Sequence, residues 1–160
     1  MKAARTVSRR KNTSSRIGVI CDPVMYAAWA REHQFCQVCG ISDRRARVES
    51  GVRNSVHHVV KFRRSDERTN LLKCCNRCHS LCEGLQIRHS DGTLYPTLPL
   101  GVVLTVKRSR EPQDFDAARL EVIYGRQLPW PKPLPWIFEE QFRRNRPKDI
   151  ASFCQLTSTA

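Results

Sequence analysis

Two cysteine pairs constrain this chain more than anything else in it. Cys36-Gln37-Val38-Cys39 and Cys75-Asn76-Arg77-Cys78 share the same spacing. Two residues between thiols let both sulfurs reach one ion, so the CxxC…CxxC pattern reads as a tetrahedral thiolate site for zinc. Gly40, after the first pair, permits the close backbone approach such a knuckle needs. One position stays open: Cys82 stands four residues after Cys78, on the same helical face, and offers a substitute for Cys75, while Cys74 adds a further neighbouring thiol. The symmetric pairs are adopted here. Closed zinc sites are usually structural, and this one has a clear purpose. Roughly 70 residues, from Pro23 to about Tyr95, hold few large apolar groups, and cores that small commonly need a metal staple.

The chain has 160 residues, enough for one domain with tails. Its eight cysteines could in principle form a disulfide framework. No apolar leader follows the basic N-terminus, however, and tight CxxC pairs beside histidine read better as metal ligands in a reducing compartment. The cytoplasm is the expected location. No run of about 18 apolar residues argues for a membrane span. A net charge of +13 points to a polyanionic partner, most simply nucleic acid.

Residues 1–16 contain six Lys or Arg and read as a disordered basic arm. Ile17–Cys21 reads as a strand or extended lead-in. Asp22-Pro23 opens a helix, with Asp22 as N-cap, and Tyr26 and Trp29 are assigned to the core. His33, near its end, reads as a surface or helix-end residue and not as a ligand. Ile41–Ser55 is polar and is expected to be a loop or weak hairpin. Val56–Val60 suits a strand, and Lys61–Thr69 a charged loop open to solvent. Asn70 is placed as the N-cap of a helix through Leu71, Leu72, Cys75, Cys78 and Cys82, stopped by Gly84. Further on, His89–Gly92 reads as a turn and Val102–Val106 as a buried strand. Asp114 or Asp116 should cap a short helix over Ala117–Tyr124. Leu128–Pro135, LPWPKPLP, should form an extended strap whose tryptophans pack back on the domain, docking to a partner being the alternative. Trp136–Arg144 reads as a last basic helix. The organisation expected is an arm at 1–16, a compact domain at 17–95 and a C-terminal extension at 96–160.

His79 adjoins Cys78 but lies about a hundred degrees round a helix from it, so it should point away from the thiolates. His57 and His58 alternate on a strand and leave opposite faces. One of them can join His79 on a metal ion while the other contacts a water molecule. Asn70 is placed to fix the loop between them through side-chain hydrogen bonds.

Taken together, Cys36/Cys39, His57-His58-Val59-Val60, Asn70-Leu71-Leu72 and Cys75-x-x-Cys78-His79 resemble the HNH, or ββα-metal (His-Me finger), nuclease family, over roughly half of the chain. The resemblance implies an α+β fold, a small ββα-metal core stapled by a four-cysteine zinc site, with an N-terminal helix and an irregular C-terminal extension. It also implies a metal-dependent endonuclease that hydrolyses phosphodiester bonds of duplex DNA. His58 would be the general base, His57 and His79 would hold Mg2+ or another divalent ion, and Asn70 would match the middle motif residue. His57 stands where many members have Asp, which makes the site less anionic and leaves its preferred metal open. Nothing after Gly84 matches the family's shared core.

The chemistry required is consistent with that assignment. A divalent ion neutralises the charge that builds on a phosphodiester and on its leaving oxygen. Histidine takes and gives protons near neutral pH, so His58 suits proton removal from water. Its other ring nitrogen needs an orienting acceptor, expected to be a backbone carbonyl. Arg44, Arg45, Arg63, Arg64 and Arg68 would hold the nucleic-acid backbone without reading bases, though any one of them alone reads as a solvated surface charge. The alternative is a non-catalytic, zinc-containing nucleic-acid-binding module, or a phage or mobile-element accessory protein whose Pro-rich segment docks a protein partner.

Overall fold

The structure is a computed structural model that describes residues 23–61 and 65–146. The basic arm, the lead-in strand, the Asp22 cap and the arginines Arg63 and Arg64 lie outside these residues. In chain order the elements are α1 (Pro23–Glu32), α2 (Asp43–Ser50), β1 (Ser55–His58), β2 (Leu71–Cys74), α3 (Asn76–Cys82), α4 (Leu100–Arg110), α5 (Ala117–Tyr124) and α6 (Trp136–Asn145). Among the described residues this is a small α+β arrangement, six helices around one two-stranded antiparallel sheet. No helix among them is long and apolar enough to cross a membrane.

The centre of the fold departs from the expected helix at Asn70. Asn70 ends a single 3-10 turn, Leu71–Cys74 forms β2, and the helix starts only after Cys75. The reason lies in burial on both faces. All four residues of β2 are buried, so the apolar run Leu71-Leu72 carries no alternation to mark it as a strand. Pairing sets its position: Ser55 faces Cys74, Val56 faces Lys73, His57 faces Leu72 and His58 faces Leu71. Leu71, Leu72 and Leu81 are fully enclosed, each contributing about 1.5–3 kcal/mol through burial.

Two further segments differ from what their composition implies. Ile41–Ser55, expected to be a loop, contains helix α2, in which only Ala46 is buried. With so small an apolar face there is no helical period to read, and the caps define it instead. The Ser42 side chain accepts from Arg45 N at 3.1 Å, and Gly51 closes the end at φ 77. Val102–Val106, expected to be a strand, lies inside α4. Its valines are buried against the rest of the core, and packing overrides their β preference.

The C-terminal segment is joined to the rest by one hydrophobic cluster. Leu98, Val102, Val106, Leu120, Leu134 and Phe138 share it with Cys36, Leu72 and Leu81. A buried polar hub reinforces the join. Lys107 donates to the Arg68 and Leu71 carbonyls at 2.8 and 2.7 Å and pairs with Glu111 at 2.6 Å. Glu111 also accepts from Trp29 Nε1 and Gln37 Nε2 and meets His33 at 2.9 Å. Removing one partner from such a hub leaves an unpaired buried charge and costs about 3–5 kcal/mol. His33, stacked on Trp29, belongs here and not to a metal site.

Asp116 caps α5 as expected, accepting from Arg119 N at 3.0 Å. The proline strap carries neither helix nor strand, and its Lys132 N–H donates to Gly101 C=O at 2.9 Å. Gly101 is required there, since a Cβ would sit 2.7 Å from Trp130 O. The tryptophans, Trp130 in the strap and Trp136 at the start of α6, do not pack back. Trp130 is 88% exposed and Trp136 73%, and Leu134 makes the inward contact instead. The loop before β2 is also less open than its charge implies, because Ser65, Asp66 and Thr69 are buried.

Candidate metal centre and histidine site

Cys36, Cys39, Cys75 and Cys78 are all buried, with their sulfurs within 4.8 Å of one another. The backbone places each pair. Gly40 N donates to Cys36 O at 2.7 Å and Cys36 N to Ile41 O at 2.8 Å, which curls the first pair into a knuckle. At Gly40 a Cβ would lie 3.1 Å from the Phe142 backbone, so the knuckle is pressed against α6. Gln37 docks the knuckle on β2, donating its N–H to Lys73 O at 2.9 Å and accepting Lys73 N–H at 2.7 Å. Cys75 caps α3, its sulfur accepting from Cys78 N.

The donor set fits a metal such as zinc. Thiolates about 2.3 Å from a tetrahedral zinc stand about 3.8 Å from one another. Cys39 and Cys75 sulfurs are 3.8 Å apart, too far for a disulfide. Cys82 falls outside this group of four. Hydrogen bonding to Cys36 and the other thiols, with burial added, holds Cys78 well above the ordinary thiol value. Cys36 goes the other way: burial opposes its charge, but hydrogen bonds from the neighbouring thiols outweigh it and hold it well below the ordinary thiol value. Arg77 lies beside the set. Burial opposes its charge, but the Cys78, Cys39 and Cys75 sulfurs outweigh that and hold it above its usual value. Hydrogen bonds to Tyr95 (2.9 Å) and Gln141 (2.7 Å) fix its guanidinium, which offsets the negative charge of bound thiolates.

A second donor group lies on another side of α3. His57, His79 and Glu83 bring ligand atoms within 4.8 Å of one another. The His57 and His79 rings are 5.1 Å apart and nearly perpendicular. Ser55 Oγ bonds His79 Nδ1 at 2.8 Å and fixes that ring, leaving Nε2 3.4 Å from Glu83. His57 Nδ1 is buried, lies 3.6 Å from Glu83 and has no hydrogen-bond partner. A buried, unsatisfied ring nitrogen aimed at a carboxylate and a second imidazole fits a cation site. Burial first, then the His79 charge, pushes His57 down to about 3, so its imidazole stays neutral, the form that binds a metal. Glu83 was not foreseen. It also pairs with Lys61 at the edge of the group.

His58 leaves the sheet separately and meets Asp66. Its Nε2 lies 2.8 Å from Asp66 Oδ1, with the imidazole about one quarter exposed and the carboxylate buried. The orienting acceptor is thus a carboxylate, not the backbone carbonyl expected. Asn70 does what was expected of it by a different route. From the end of its 3-10 turn it accepts from Val60 N at 2.8 Å and donates to Val60 O and Ser65 O at 3.1 and 2.8 Å. That closes the loop carrying Asp66.

The arginines divide. Arg44 is exposed on α2. Arg45 bonds Glu49 and Asn145 at 2.7 and 2.9 Å. Arg68 clamps Glu32 and Asp114 at 2.8 and 3.1 Å, an internal tie between α1 and the segment after α4. Searches of family models, curated proteins and solved structures give no match to this chain.

Proposed function

We propose that the chain is a metal-dependent phosphodiester hydrolase acting on DNA, with an HNH-type centre and a structural zinc at Cys36, Cys39, Cys75 and Cys78. The observation that carries the proposal is the meeting of His57, His79 and Glu83 around an unsatisfied buried nitrogen, with His58 held nearby on the adjoining strand position. His57, His79 and Glu83 would hold the catalytic cation. Two imidazoles and one carboxylate suit Mn2+, Ni2+ or Zn2+ better than Mg2+, which prefers oxygen donors. When bound, the cation supplies Lewis-acid neutralisation of the phosphate charge.

The chain's own groups supply the proton chemistry. His58 is the general base. Asp66 accepts from Nε2–H, which selects the tautomer whose other nitrogen can take a proton from water and stabilises the imidazolium that results. Partial exposure of His58 leaves a path for that water. Asn70 holds the loop that sets Asp66 against His58, a positioning role. The net charge of +13 favours the approach of a polyanion.

The test is conversion of supercoiled plasmid to nicked or linear forms with Mn2+, Ni2+ or Mg2+. His58→Ala should lower the rate by about 10²–10⁴-fold with zinc content and melting unchanged. Asp66→Asn should lower kcat while leaving DNA affinity intact. Cleavage by His58→Ala at the wild-type rate would falsify the assignment. Salt-sensitive DNA binding without cleavage in any of these ions would instead favour a non-catalytic zinc module.

A further inference from the structure

A cavity of about 380 Å³ opens directly beside the histidine site and shares His57 with it. One wall belongs to β1 and the residues after it, including Lys61. The opposite wall comes from the C-terminal segment: Leu100 and Val103 of α4, Tyr124 at the end of α5, and Arg126 just past the left-handed turn at Gly125. The Arg126 guanidinium lies 4.3 Å over the Tyr124 ring. The cavity is therefore lined by apolar side chains, an aromatic–guanidinium stack and an ammonium. No carboxylate lines it among the described residues, and the Lys61 ammonium is paired with Glu83 of the adjoining cation site.

Cationic groups flanking an apolar and aromatic surface match a nucleotide, whose phosphate needs the charge and whose base needs the flat face. Bases stack readily on tyrosine rings and on guanidinium planes. We propose that this cavity is a subsite for the nucleotide next to the scissile phosphate of a DNA strand. Arg126 holds its phosphate, and the Tyr124 ring and the apolar side chains of α4 hold its base. The position next to the scissile bond rests on the hydrolase reading above. The affinity for a nucleotide does not.

The experiment uses the full chain, zinc-loaded, without added catalytic cation. Anisotropy of a short fluorescein-labelled DNA is followed across a potassium chloride series. Arg126→Gln should bind about tenfold more weakly, with a log–log salt slope shallower by about one, the mark of one lost phosphate contact. Tyr124→Leu should weaken binding to a single-stranded oligonucleotide several-fold, yet leave binding to the same strand with abasic sites unchanged. Arg126→Gln with unaltered affinity and slope overturns the subsite, and so does Tyr124→Leu weakening both strands equally. If wild type shows the Arg126-dependent slope but never cleaves, the subsite stands and the hydrolase reading fails. If Arg126→Gln cleaves with unaltered KM and slope, the subsite fails and the hydrolase reading stands.

Discussion

Helix α3 carries two donor sets on different sides, one sealed and one open. Cys75 and Cys78 meet Cys36 and Cys39 in a buried group of four sulfurs. His79 and Glu83 meet His57 where the helix faces outward, with His79 and Glu83 each partly exposed. A closed four-thiol group leaves a metal nothing to do but hold chain segments together, while three ligands with open positions leave room for water and substrate. Both sets hang on one short helix. A metal that orders the first set would therefore also position the second, and the two can be disturbed separately from the two sides of α3.

The strongest way to break that contrast is to disturb the sealed side. Cys78→Ser should abolish both the zinc content and the cooperative melting transition, since apparent zinc affinities of about 10–16 kcal/mol match or exceed the stability of a domain this size. Elemental analysis and circular dichroism would read this. A variant that melts normally without zinc would remove the structural role.

On the open side, Glu83→Gln should weaken Mn2+ binding to the zinc-loaded protein about a hundredfold, read by calorimetry. Its melting should shift by no more than about 0.5 kcal/mol, because the Lys61–Glu83 pair it breaks is exposed. Loss of zinc in this variant would show that the two sets are not separable.

Acid should reveal the same contrast more gently. The folded chain keeps His57 neutral down to about 3, whereas an unfolded histidine protonates near pH 6.5. Between those values the unfolded state binds a proton that the folded state refuses. The His57 contribution is therefore complete above about pH 6.5 and shrinks as pH falls, by about 1 kcal/mol per pH unit. Denaturant melts at pH 6.5 and 5 should show this loss in wild type and not in His57→Gln. The smallest effect belongs to Cys82→Ser, which should retain zinc and lose less than about 1 kcal/mol. Zinc loss there would mean that Cys82 displaces one of the four assigned ligands.

Much of the sealed side could be read from spacing alone, because a CxxC pair encodes its own geometry. The open side was only half legible. His57, His79 and Asn70 were found through the motif, and their separation from the thiolates followed from helical and strand periods. Glu83 left a signal that was passed over: four residues after His79, it shares that residue's helical face. Asp66 left none, since its meeting with His58 depends on how a loop returns. The segments misjudged outright, α2, β2 and α4, are those where burial and capping outweigh pattern. α2 has almost no apolar face, β2 is apolar on both, and α4 is a helix built from strand-loving valines held inside a core.

The three indoles of this chain live in two different worlds. Trp29 is sealed against the Glu111 carboxylate, while Trp130 in the strap and Trp136 at the start of α6 are exposed to water. A soluble quencher would darken the outer pair at once and reach the inner one only when α1 lifts from α4. The molecule thus carries an optical gauge of its own breathing, with no dye attached.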